Sequence, residues 1–410
     1  MVDYHRLVRR PLGALFLQEI PMPSTVISLR RCKHLFIEPR RVDRFSLDDV
    51  LAGRAGLVSS SCWMALAPHL PEGVEVSAEA LQVLGGFDAD TWTETALPLS
   101  SPQLELLGKG LLFSDCGKGN HIRSDERIRE LGWWGPAAML HWQARWEDRN
   151  SVAAIDSVGI QTAAGLRQRF GAPPPATVAP EGPMIMLPRE PEDEVDRRLQ
   201  MRCTCRNFDT SKPLSMAVFS RLMGRCFAAT GSYRLDEESI FLKRNAPSAG
   251  GLHATESYLI IQNVEGVLPG LYHYHPMEHA LTLIPGALTP ESGAAARFVA
   301  GQFWFANAHV MIVLAPRFDR LHWKYRGHAK AYRAVTLDVG HLSQLLLGCA
   351  TEMGLGAFVT AAINEKEIEQ TLGFDPMAQS PLAICGFGWR AEVMETTEFD
   401  PAQAVWESVG

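Results

Sequence analysis

The sequence predicts a layered α+β or α/β protein in two parts, on three observations. Proline crowds Gly171 to Pro191, at Pro173, Pro174, Pro175, Pro180, Pro183, Pro188 and Pro191. That rules out a helix and predicts an extended linker, 171–191, between residues 1–170 and residues 192–410. Beyond the linker, helical and strand-like apolar patterns alternate, as layered folds of both secondary structures require. One of these patterns is sharp: Val339, Leu342, Leu346, Cys349 and Met353 recur at three and four residues and Gly354 stops the run, which predicts a helix over Arg333 to Met353. A chain of 410 residues exceeds one usual domain and can bury a core in each part.

The segment Met1 to Arg10 is basic, but Pro11 to Ile20 is short and interrupted by Gln18 and Glu19, so it does not read as a secretory signal. No apolar run is long enough to span a bilayer. The eight cysteines (Cys32, Cys62, Cys116, Cys203, Cys205, Cys226, Cys349, Cys385) contain no C-x-x-C, which suggests neither a disulfide framework nor a zinc ribbon. A reduced, cytoplasmic protein is expected. Its net charge of -7 offers no basic footprint for nucleic acid.

In the first part, Ser77 to Phe87 reads as a short amphipathic helix with Leu81 and Leu84 inward. Leu104 to Phe113 reads as a second, closed by Gly108 and Gly110 and followed by a strand. Small helices ending in a strand suggest a winged-helix-like module. Its neighbourhood carries Asp88, Asp90, Glu94 and Glu105 where a DNA reader would be basic, so it is read as engaging a peptide or a partner protein. Four tryptophans (Trp133, Trp134, Trp142, Trp146) with His141 and Arg145 mark a further helix, which either packs the two parts together or offers an aromatic platform; burial is the commoner fate of such rings.

After the linker the predicted order is helix 216–230, strand 258–262, helix 294–305, strand 309–315, helix 333–353, strand 357–361 and strand 382–386. Just before the first strand lies Pro247-Ser248-Ala249-Gly250-Gly251, where two glycines without Cβ let a flat or anionic ligand approach the backbone. In the segment Arg202-Cys203-Thr204-Cys205-Arg206, alternate residues share a face, so Arg202, Thr204 and Arg206 can point one way while the cysteines point inward; these arginines could instead pair with Asp193, Glu194 or Asp196. His273, His275 and His279 lack the further ligands a metal site needs, so no metal is expected. There is no G-x-G-x-x-G after a strand, no P-loop, no H-E-x-x-H and no G-x-S-x-G.

Taken in order, Arg202 to Phe208, Pro247 to His253, Pro269-Gly270-Leu271-Tyr272-His273-Tyr274, Lys324-Tyr325, and Gly340 to Gln344 leading into Gly354-Leu355-Gly356 resemble the SagB-type flavin dehydrogenases of the nitroreductase superfamily. The resemblance covers about residues 195–390. It implies a nitroreductase-like FMN-binding α+β fold, with a central, mainly antiparallel sheet flanked by helices, and a homodimer with flavin at the subunit interface.

By the same resemblance, Arg202, Thr204 and Arg206 contact phosphate and ring, although Cys203 departs from the arginine usual there. Pro247, Ser248, Ala249 and Gly250 lie along the ring; Gly354, Leu355 and Gly356 give a second backbone contact. Arg390 matches a phosphate-binding position and Gln344 the family's helix. Such residues suit FMN, which presents a phosphate and a ring edge that becomes negative on reduction.

Lys324-Tyr325 resembles the catalytic pair of azoline-oxidising members. A base must take a proton as hydride leaves, and Arg326, His328 and Lys330 stand close enough in sequence to favour a neutral lysine. The pair could also be part of a solvated basic loop. The implied activity is oxidation of thiazoline or oxazoline rings to azoles in a ribosomally made precursor peptide, beside a partner cyclodehydratase or other maturation enzyme. The alternatives are Cα–Cβ desaturation of an unmodified residue, NAD(P)H-dependent reduction of a nitro or quinone compound, and a non-catalytic peptide-binding scaffold.

Overall fold

The computed structural model describes residues 26–178, 181–286 and 293–406. The expectations for Met1 to Ile20 and for Pro180 lie outside the described residues. The chain divides into two compact units between Arg123 and Ser124.

The first unit holds β1 (Val26–Arg31), β2 (Phe36–Phe45), α1 (Leu47–Leu51), β3 (Leu57–Leu66), β4 (Val74–Val76), α2 (Ala78–Leu84), β5 (Thr93–Ala96), α3 (Ser101–Gly108) and β6 (Leu112–Ser114). The strands make two antiparallel sheets, in the orders β5-β1-β6 and β2-β3-β4. Helix α2 begins where the Ser77 hydroxyl accepts the Ala80 N–H, and α3 opens with a Ser100–Gln103 capping box. Leu84, Leu106 and Leu112 are buried in a core beneath them. The two short helices and the strand after them follow the order that the sequence predicts.

The unit boundary falls within α4 (Asn120–Leu131). Then come α5 (Gly135–Ala144), α6 (Ser151–Ser157), α7 (Ala163–Phe170), α8 (Glu194–Gln200), α9 (Met216–Cys226), β7 (Ala229–Arg234), β8 (Ile240–Arg244), β9 (Thr255–Ile261), β10 (Gly270–His275) and β11 (Ala280–Leu283). The chain continues through α10 (Ala294–Phe298), α11 (Phe303–Ala306), β12 (Val310–Pro316), α12 (Phe318–Tyr325), α13 (Ala331–Glu352), β13 (Leu355–Thr360), α14 (Glu365–Leu372) and β14 (Ala383–Trp389). Six strands form one sheet in the order β11-β10-β9-β12-β14-β13, every neighbouring pair antiparallel. That settles the layered class as α+β, since parallel crossovers are absent from this sheet.

All seven residues of β12 are buried. Val310, Ile312 and Leu314 face the core that includes Leu222 of α9 and Leu346 of α13, while Met311, Val313 and Ala315 face the core that includes Phe298 and Ile368. Alternate residues thus serve opposite faces, and both are covered.

Three boundaries differ from the sequence reading. Residues 124–170 lie in the second unit rather than with the N-terminal part, because Trp133 and Ala138 share a core with Leu252, Phe318, Leu321 and Val335. The helix expected at 294–305 is broken into α10 and α11: Ala300 and Gly301 take positive φ, and the Ala300 carbonyl accepts the Ser151 N–H at 2.8 Å and its hydroxyl at 3.0 Å. The helix expected at 216–230 ends at Cys226, and Ala229 already pairs with Arg244 in the β7–β8 hairpin. Residues 171–178 and 181–193 contain neither helix nor strand, as their prolines dictate.

Candidate functional site

The Pro-Ser-Ala-Gly segment leaves β8 and forms a single 3₁₀ turn over Ala249–Gly251, with Gly250 at φ 60° and Gly251 at φ 69°. Two successive left-handed residues are a glycine's conformation, since a Cβ costs about 1–2 kcal/mol there. The turn is held from beneath by Asp338 of α13. Its carboxylate accepts the Ser248 hydroxyl at 2.6 Å and the Ala249 N–H at 2.9 Å, and Ser248 Oγ in turn accepts the His253 N–H at 3.0 Å. Burial pushes the Asp338 carboxyl up, against the pull of those hydrogen bonds.

Lys324 and Tyr325 end α12, so they occupy a helix terminus rather than a loop. Lys324 Nζ donates to the Gly250 carbonyl at 3.4 Å. A Cβ built on Gly250 would stand 2.6 Å from Tyr325 Oη and 2.7 Å from Lys324 Nζ. The two side chains expected to do chemistry therefore meet the turn expected to face the ring, 74 residues away in sequence. Lys324 is exposed and Tyr325 half-buried.

A second group assembles around β13. Thr204 bridges Ala357 in parallel, and the Cys205 N–H donates to the Ala357 carbonyl at 2.9 Å. Cys203 and Cys205 are buried; Arg202 is exposed, and Thr204 and Arg206 are half-buried. Burial pushes both thiols up, Cys205 to about 12, so they remain protonated packing groups. Gly354 takes φ 73° at the end of α13 with nothing against its missing side chain. Leu355 is buried, whereas Gly356 is packed so tightly on the Cys205 side chain that no Cβ fits.

Arg202 and Arg206 each line a different cleft. Arg202 lines one of about 650 Å³ with Gln344, Leu199, Cys349 and Glu352. Arg206 lines another of about 590 Å³ with Asn207, Trp304 and Thr396. Arg390 pairs with the buried carboxylate of Glu398 and donates to the Cys203 carbonyl at 3.1 Å, so its guanidinium holds the arginine segment. Glu398 also accepts the Arg206 N–H at 2.6 Å, Asn207 Nδ2 at 2.8 Å and the Trp406 indole at 2.9 Å. Burial works to raise its carboxyl; the Arg206 N–H, the Trp406 indole and Arg390 outweigh it and hold the group below the usual carboxylate range. The long helix α13 links the two groups, with Asp338 under the turn and Gln344 in the Arg202 cleft.

The histidines are committed separately: His273 to Glu256, His275 to Thr282, and His279 to Tyr274 and Ser220. Among the described residues no three His, Cys, Asp or Glu side chains are gathered to hold a metal ion, and no helix is long and apolar enough to cross a membrane. Two participants escaped the sequence reading. Asp338 left a faint signal, a carboxylate within the apolar stripe of Val335, Val339 and Leu342; Glu398 left none.

Residues 199–389 match the model of the family described as Nitroreductase family. Putative nitroreductase MJ1384 of Methanocaldococcus jannaschii is 29% identical over 209 residues, covering 51% of this chain and 97% of that protein. Trifolitoxin-processing protein TfxB of Rhizobium leguminosarum bv. trifolii is 27% identical over 177 residues, 42% of this chain and 46% of its own length. Microcin B17-processing protein McbC of Escherichia coli is 26% identical over 188 residues, 44% of this chain and 65% of its own. Of the solved structures, a chain of the E. coli microcin synthetase McbBCD complex with truncated pro-MccB17 superposes with a TM-score of 0.47 at 20% identity, covering 64% of this chain and 94% of that one. With its antiparallel six-stranded sheet, and with the turn and arginine segment that this family's resemblance singled out, the chain carries a nitroreductase-family domain over residues 199–389.

Proposed function

We propose that this chain is an FMN-dependent dehydrogenase that matures a ribosomally made peptide by oxidising thiazoline or oxazoline rings to azoles. The observation that carries the reading is the convergence of Lys324 and Tyr325 on Gly250. The residues fit FMN: Gly251 and Gly354 turn left-handed backbone toward open space, and Arg202 offers an exposed guanidinium in a cleft. Pro247 to Gly250 would lie along the ring, with Arg202, Thr204, Arg206, Gly354 to Gly356 and Gln344 toward phosphate and ribityl chain. Arg390 would act through the backbone of that segment. A bound FMN would supply the two-electron acceptor. An azoline that becomes an azole loses a hydride and a proton, and Lys324 or Tyr325 is placed to take the proton.

The similarity to TfxB and McbC, processing proteins of trifolitoxin and microcin B17, supports a substrate of that kind, and a partner maturation enzyme belongs to the same reading. The two site groups lie on different parts of one chain, which suits a homodimer in which each flavin draws on both subunits. A cytoplasmic setting belongs to the same reading. The name of MJ1384 favours the second reading, reduction of a nitro or quinone compound by NAD(P)H.

The deciding experiment is an absorption spectrum of the purified protein with the released cofactor identified by mass, followed by turnover of a thiazoline peptide. The wild type is expected to be yellow and to release FMN. Arg202→Ala should lose at least tenfold in flavin affinity, as for one charge-assisted phosphate contact of about 1.5–3 kcal/mol. Lys324→Ala should keep its flavin and lose turnover by about 10²–10⁴-fold. A colourless protein that FMN cannot reconstitute would sink the reading and leave the scaffold.

A further inference from the structure

Beside the glycine turn and the end of α12 lies a cleft of about 320 Å³ that nothing above uses, walled by Ile240 and Phe241 of β8, Leu252, and Arg317, Arg320 and Trp323 at and within α12. It is one residue along the helix from Lys324 and two along the loop from Gly250. Its size suits one large side chain with a little backbone. Trp323 is 66% exposed, unusual for the largest aromatic, and its ring lies 6.3 Å from that of Phe241 at 54°.

The two arginines of the wall are spent, Asp319 is paired with Arg317, and Glu238 adds a carboxylate to the lining. Arg320 Nε donates to the Leu252 carbonyl at 2.7 Å and its Nη2 to the Ile240 carbonyl at 3.2 Å. Arg317 faces Asp319 at 3.4 Å and Glu256 at 3.8 Å. An anionic ligand would have to break these pairings, whereas a neutral aromatic group needs only the two rings. By bonding two backbone carbonyls, Arg320 also ties the hairpin and the glycine turn to α12, so the rings are held at a fixed place beside the chemistry.

We propose that this cleft is a specificity subsite that takes an aromatic side chain flanking the reacting residue of a peptide substrate, packed against the contacting rings of Phe241 and Trp323. The proposal rests on the peptide-oxidising reading and names what that site selects.

The test uses the full chain with FMN and two synthetic peptides that carry one thiazoline and differ only in a neighbouring Phe or Gly. Affinity is read by calorimetry and turnover separately. The Phe peptide is expected to bind at least about tenfold more tightly, the return on burying one aromatic side chain. The ratio should fall to within about twofold in Trp323→Ala and in Phe241→Ala. Equal affinities in the wild type, or a ratio untouched by both substitutions, overturn the subsite, and so does loss of the Phe preference on adding NADPH, which would make the cleft a nicotinamide site. If the Phe peptide is preferred but neither peptide is oxidised, the subsite stands and the azoline reading falls. If both are oxidised and bound alike, the reverse holds.

Discussion

At Gly250 an added methyl group has nowhere to go. Its φ of 60° is one that a residue with a Cβ adopts at a cost, and the methyl would press on Tyr325 Oη and Lys324 Nζ at 2.6 and 2.7 Å. Gly251 has nearly the same backbone at φ 69° but nothing within 4 Å of a Cβ. The pair separates conformational strain from crowding. Gly251→Ala should cost about 1 kcal/mol in a denaturant melt and leave turnover within a few-fold. Gly250→Ala should cost as much in stability and, by displacing the two side chains, lower turnover by about 10²-fold. Equal turnover in the two variants would show that the contact at Gly250 is not needed for chemistry.

On the scale of elements, the pair α4–α5 works as a buttress for α12. Trp133 packs edge-on to His322 and tilted to Phe318, both at 4.7 Å, and its indole donates to the Met377 carbonyl at 2.9 Å. His141 stacks on Trp133 and reaches the Pro376 carbonyl at 2.9 Å, while the Gly132 carbonyl accepts the Gly327 N–H just beyond Tyr325 at 2.7 Å. Burial lowers His141 to about 3 and His322 to about 4. Unfolded histidine titrates near 6.5, so between there and 4 the unfolded chain binds protons that the folded chain refuses. Stability should therefore fall as pH drops from about 6.5 toward 4, by up to two protons taken up on unfolding. Melting temperatures across that range in wild type and His322→Gln check this: the variant should lose about half of the dependence attributable to these two rings, and an unchanged curve would refute it.

The same helices show what was legible in the sequence. Helix α13 was readable because its buried side chains recur at the helical period. Strand β12 was readable because it is uniformly apolar. The turn at Pro247 to Gly250 and the paired Lys324-Tyr325 were singled out by their resemblance to a family, and the structure adds that Lys324 and Gly250 meet. What the chain could not disclose was long-range pairing: that Ser151 takes the Ala300 carbonyl and breaks a helix, that Glu398 closes over Arg206, and that Trp133 supports Phe318 across 185 residues. Those contacts depend on partners far away in sequence, and no local period records them.

On the scale of the whole molecule, the stretch 171–178 and 181–193 is exposed throughout, and Met184, Ile185, Met186 and Leu187 are each about four-fifths exposed. Chymotrypsin at low ratio should cut there first. The pieces should nonetheless stay together, because residues 133–151 are tied across the cut by Arg145–Glu369 at 2.6 Å, by the Asn364 side chain, which accepts the Arg149 N–H and donates to the Arg149 carbonyl, and by the buttress. Two bands on a denaturing gel and one native-sized peak in size exclusion are expected. Separation of the pieces without denaturant would show that residues 124–170 are not part of the catalytic unit.

The order of strands sets a timetable for synthesis. In the sheet, β14 lies between β12 and β13, so β13 can join only after Trp389 has been made, and Thr204 docks on β13 in turn. The arginine segment must wait for everything from Arg202 to Trp389, on the order of ten to forty seconds at ribosomal speed. During that interval the first unit can already fold, while β9 and β12 hold an apolar sheet whose next strand has yet to leave the ribosome.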